Sequence, residues 1–141
     1  MDPLSPVASC LAVLSAIVAT LRLYSTIHDA PEDALGVCKE VEDLQNVFSQ
    51  SKEALYRRLS VGGLTQRGET AFHMTTVSIY EALTKLDRIL RDSIVNETGN
   101  DGKKKVSRLA WLRNSAKIKK LCLRLRNLKA DLIIVTTSQL V

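Results

Sequence analysis

The stretch that decides the fold is VASCLAVLSAIVATL, residues 7–21. It is fifteen residues long, carries no charge and lies close behind Met1. A secretory signal peptide requires a basic n-region and a small-residue cleavage site. Here Asp2 follows Met1, and the first basic residue is Arg22, beyond the apolar run. A membrane span requires about 20 mainly apolar residues to cross roughly 30 Å of hydrocarbon. The uncharged window from Pro3 to Leu21 is diluted by Pro3, Ser5, Pro6, Ser9, Ser15 and Thr20. Its apolar part reaches about 22 Å at 1.5 Å per residue, so a constitutive span is a poor fit. Leu4, Val7, Leu11, Leu14, Val18 and Leu21 recur at helical spacing, and Ala8, Ala12, Ala16 and Thr20 form a row of small residues. Cys10, Val13 and Ile17 cover much of what remains. A helix apolar all round is buried on all sides, which predicts the central helix of a bundle. A small-residue row also lets another helix approach closely, in water or in lipid.

Three further helical stripes follow. Asp29-Ala30-Pro31-Glu32-Asp33 has the proline and carboxylates of a helix start. After it come Val37, Val41, Leu44, Phe48, Leu55 and Leu59. Residues 60–69, SVGGLTQRGE, contain a glycine-marked loop. Phe72, Thr76, Ile79, Leu83, Leu86, Leu90 and Ile94 form the third stripe. NETGNDGKKK, residues 96–105, is predicted to be a second loop. In the last segment Leu109, Leu112 and Ala116 are followed, out of phase, by Ile118, Leu121, Leu125, Leu128, Leu132 and Val135. No stretch shows convincing two-residue alternation bounded by hairpin turns. The fold expected is all-α: one domain over 1–141, an antiparallel four-helix bundle with a broken or kinked last helix. The helices are predicted near 5–28, 31–59, 68–95 and 105–137, with the break near Asn114-Ser115, where Ser115 is a candidate cap.

The charge is uneven. Eleven of the twenty Lys and Arg lie between Lys103 and Lys129 with no acid among them. The rest of the chain sets nine basic residues against all fifteen acids, a net of −6. The basic segment 103–129 either pairs with acids such as Glu40, Glu42 and Asp43 across the bundle or attracts anionic headgroups. Lys103, Lys104, Lys105, Arg108, Lys117, Lys119, Lys120 and Arg124 are the candidate lipid contacts. Nucleic acid would feel the same charge, but Trp111 is the segment's single aromatic and no zinc-finger or RNA-binding signature accompanies it.

Catalytic signatures are weak. Gly63 to Thr70 mimics a phosphate-binding GxxxxGK[ST] loop, but Glu69 stands where the lysine belongs. His28 and His73 are the two histidines, neither at metal-ligand spacing from another His or a Cys. Cys10, Cys38 and Cys122 are dispersed and odd in number, the pattern of reduced, buried thiols. No enzyme activity, metal or cofactor is expected.

MDPLSPVASCLAVLSAI resembles the opening of the fungal N-terminal domain of STAND proteins, the NLR-like receptors, in the HeLo-like group. The resemblance continues through DAPEDALGVCKEVEDLQNVFSQ and LAWLRNSAKIKKLCLRLRNLKADL and covers nearly the whole chain. The chain departs from the pattern at Pro6 and in lacking a proline after the tryptophan. The resemblance implies a helical bundle that signals programmed cell death: clustering releases the first helix, which permeabilises the plasma membrane. It implies a cytoplasmic resting state, an anionic membrane as partner, self-association on activation, and an NLR-like receptor or further domains beyond Val141. A non-lytic adaptor, with the first helix kept in the core, is the alternative.

Overall fold

A computed structural model describes residues 4–25, 32–63, 65–92, 94–98, 104–106 and 108–140, with side chains at 7–19, 36–63, 65–92 and 111–138. Four helices form the body: α1, Leu4–Ser25; α2, Glu32–Ser60; α3, Gln66–Asp92; and α4, Arg108–Val135. A short antiparallel ribbon, β1 (Ile94–Thr98) and β2 (Lys104–Val106), joins α3 to α4. It pairs Ile94 with Val106 and Val95 with Lys105, then slips before Thr98 meets Lys104. The stretch predicted as a plain loop is therefore partly paired. Ile94, assigned to the third helical stripe, belongs to this ribbon instead.

α1 packs on α2 and α3, and α4 packs on the same two helices. The order around the bundle is thus α1–α2–α4–α3, with α1 and α4 on opposite corners. Glu40 meets Arg126 and Lys129, while Ser51 meets Thr136. Both numbers rise together, so α2 and α4 run parallel, as alternate helices of an up-down-up-down bundle do. The link 61–65 must cross the end of the bundle, and five residues reach at most about 17 Å. Packed helix axes lie about 8–10 Å apart, so this diagonal is within reach. Gly62 and Gly63 make the crossing with positive φ, +137° and +79°. The Gly63 N–H donates to the Arg58 carbonyl at 3.0 Å and closes α2. Thr65 then caps α3, its hydroxyl accepting from the Gly68 N–H at 3.1 Å. The stretch that mimicked a phosphate loop is this stop-and-start signal, and it follows a helix rather than a strand.

The core holds Leu14, Ile17, Phe48, Leu55, Phe72, Ile79, Leu83, Leu86 and Leu90, all fully buried. Ser51 continues the α2 stripe between Phe48 and Leu55, whereas Leu59 is exposed. In α4 the buried line is Trp111, Ile118, Leu125 and Leu132, one every seven residues, flanked by partly buried Leu121, Leu128 and Val135. That line continues through Asn114-Ser115, and α4 is helical without interruption from Arg108 to Val135. The break predicted there is absent. Trp111 fills the core position that the phase of Leu112 and Ala116 had suggested for them, so both face outward. Ser115 donates to the Leu112 carbonyl at 2.9 Å, three residues back, and so does not cap a new helix. The last helix changes geometry later, in a π-helical turn over Thr136–Leu140. There Thr136 donates to the Leu132 carbonyl at 2.7 Å. Its hydroxyl therefore accepts from buried Ser51 at 2.9 Å, which fastens the turn to α2.

Candidate functional site: a divided cationic face

α1 is not buried on all sides. Val7, Cys10, Leu14, Ile17 and Val18 face the core, Leu11 is half-buried, and Ala8, Ser9, Ala12, Ser15 and Ala19 face solvent. The predicted central helix is a corner helix with one apolar side and one small-residue side. The exposed positions carry only methyl and hydroxymethyl groups, which cost little to leave in water. Of the predicted close-packing row, Ala8 and Ala12 are exposed and Ala16 is half-buried. The side chains of Leu4, Thr20 and Leu21 lie outside the described residues. Cys10 donates to the Thr76 carbonyl at 3.3 Å, and burial pushes its thiol up to about 12. Cys122 is pushed up to about 11, by burial first and then by the Glu40 charge, against the lowering effect of Arg126. None of the three cysteines is in a disulfide; Cys10 is buried, and Cys38 and Cys122 are partly buried.

The basic face of α4 is divided. On the α2 side, Arg126 donates through Nε and Nη2 to the two Glu40 oxygens, each at 3.4 Å, and Lys129 lies 3.6 Å from the same Oε1 that Arg126 Nε meets. Glu40 is largely enclosed, whereas Arg126 stays mostly in water. This side also forms a cavity of about 290 Å³ lined in part by Trp111, Ser115, Lys119 and Cys122. On the α3 side, Lys117, Lys120 and Arg124 line an open groove of about 580 Å³ with Lys85 and Arg88 of α3. Ile89 and Leu121 form its apolar floor. Among the described residues no ion pair engages any of these five cations. The neighbouring acid Asp87 is turned to Arg91 at 3.1 Å.

Of the eight candidate lipid contacts, Lys117, Lys120 and Arg124 converge in this groove, and Lys119 points to the α2 side. Lys104 and Lys105 stand on β2 and Arg108 begins α4, but their side chains lie outside the described residues, as does Lys103 altogether. Lys85 and Arg88 were missed, because they sit some thirty residues away on a helix of mixed charge. Their sequence signal was slight: two cations three apart, flanking Leu86 and followed by Ile89.

Among the described residues no cluster of His, Cys, Asp and Glu could hold a metal ion. Among the described residues no aromatic side chain lines the α3–α4 groove, whereas single-stranded nucleic acid sites depend on base stacking. The arrangement suits phosphate-bearing anions held by charge. No family model matches the chain, and neither the curated proteins nor the solved structures provide a match.

Proposed function

We propose that this chain is a membrane-targeting signalling or effector domain of a fungal NLR-like innate-immunity or programmed-cell-death (incompatibility) system. It rests in the cytoplasm as the closed bundle, docks on the plasma membrane on activation, self-associates, and permeabilises the bilayer through its N-terminal helix. The observation that carries the reading is the acid-free groove of Lys85, Arg88, Lys117, Lys120 and Arg124. Near an anionic leaflet each such residue contributes about 1 kcal/mol of attraction. Glu40 offsets one charge of Arg126 and Lys129 on the other side of α4, so the attraction is stronger on the α3 side. α1 suits the later step: its apolar side gains as much from lipid tails as from the core. Among the described residues no helix is long and apolar enough to cross a membrane. On this reading α1 acts within an assembly, not as a solitary span.

A second reading is a non-lytic adaptor that docks on partner proteins. It is favoured by the complete burial of Cys10, Leu14 and Ile17, which ties α1 to the bundle.

Two variants separate the steps. The triple variant Lys117→Glu, Lys120→Glu, Arg124→Glu is expected to lose binding to phosphatidylserine vesicles, most visibly at low salt. Ala12→Glu is expected to keep surface binding and lose dye release. Ala12 is exposed, so this charge does not strain the core. If both variants bind and leak like the parent, the domain is not a membrane effector and the adaptor reading stands.

A further inference from the structure

α4 carries a second apolar line, opposite its buried one. Leu112, Leu123 and Ile134 are 69%, 55% and 63% exposed, unusual values for such side chains on a helix that packs into a bundle. They are spaced by eleven residues, three turns to within about 20°, so they form one line about 33 Å long. Exposed Ala116 and Ala130 lie along the same line. On its α3 side it is rimmed by exposed Arg113, Lys117, Lys120 and Arg124, and the single acid of α4 is Asp131. A surface that matches this face must be anionic at the rim and apolar beneath. The headgroup–acyl boundary of an anionic bilayer has that layering, and helices with an apolar line between cations lie in it.

We infer that the outward face of α4 is the bilayer-docking surface. Leu112, Leu123 and Ile134 enter the headgroup–acyl boundary while Lys117, Lys120 and Arg124, with Lys85 and Arg88, take lipid phosphates. The inference rests on the membrane reading above and adds an orientation to it. α1 occupies the corner opposite α4, so docking leaves it on the far side of the bundle. Surface binding and permeabilisation then belong to different faces, and α1 reaches lipid only by leaving the bundle.

The test is co-sedimentation of the full chain with phosphatidylcholine–phosphatidylserine vesicles. The variant Leu112→Ser, Leu123→Ser, Ile134→Ser removes exposed side chains and is checked for folding by circular dichroism. It is expected to bind about tenfold or more weakly, with residual binding that falls more steeply with salt. Tyr56→Ser with Met74→Ser, exposed apolar residues of α2 and α3, is expected to bind like the parent. If the α4 variant also binds like the parent, the inference is overturned while the membrane reading survives. Failure of the parent to bind these vesicles overturns both. Loss of self-association by light scattering, with vesicle binding unchanged, overturns the inference in favour of a protein interface.

Discussion

Leu14→Ala asks whether α1 belongs to the resting bundle. Leu14 is fully buried in a core to which all four helices contribute, and Cys10 and Ile17 of α1 are buried with it. The substitution removes three carbons, and at about 0.8 kcal/mol each the transfer loss is about 2.4 kcal/mol. α1 is held by α2 and α3 on its inner side. Their stiff backbones limit collapse, so a cavity contribution of about 1–2 kcal/mol is added. The expected cost is about 3–4 kcal/mol, within the usual range for a core Leu→Ala change. At about 2–4 °C per kcal/mol for a chain of this size, the Tm falls by about 10 °C. Urea unfolding followed by helical circular dichroism measures the cost, provided that the slope m is unchanged. Ala12→Ser, two residues away on the exposed side, provides the contrast and is expected to stay within about 0.5 kcal/mol. A Leu14→Ala cost under about 1 kcal/mol would mean that α1 is already detached in solution. The closed-bundle resting state would then be refuted.

Glu40→Gln breaks two ion pairs that are partly in water, so its stability cost should stay near or below about 1 kcal/mol. It also releases Arg126 and Lys129, so binding to anionic vesicles should rise in the same co-sedimentation assay. Gly63→Ala places a Cβ at φ +79° and should cost about 1 kcal/mol in urea unfolding, although there is space for the methyl group itself. The Cys10 thiol stays protonated to about pH 12 in the fold but ionises near its ordinary value of 9.0 once unfolded. Its contribution to stability is therefore fully present below pH 9 and is lost as the pH rises from 9 towards 12. Cys10→Ala should flatten that part of the stability–pH curve, and native Cys10 should resist alkylation at pH 8 until the chain is unfolded.

The helical class was legible because apolar residues recur at three and four, and because the glycines of residues 60–69 mark a loop between two helical stripes. Local signals of this kind act within a turn or two of chain. The phase shift between Ala116 and Ile118 was equally visible but ambiguous. It could mean a broken helix, or an unbroken helix with apolar residues on two sides. Packing decided for the second, because Trp111 supplies the core position and leaves Leu112 outside. In the same way, an uncharged run such as residues 7–21 states that a helix has no polar face, not how many neighbours it has. The bundle gives α1 two neighbours and exposes its smallest residues, where the cost in water is least. The eleven cations of the basic segment were plain in the chain, and their attraction for acids or headgroups followed from charge alone. Which cations pair, and which stay free, depended on contacts some eighty residues apart, with Glu40 on one flank of α4. The recruitment of Lys85 and Arg88 on the other flank came from the α3–α4 packing. Sequence patterns thus determined which segments are helices and which charges they carry. Tertiary structure alone decided which faces meet, because burial and ion pairing depend on neighbours in space and not on neighbours in the chain.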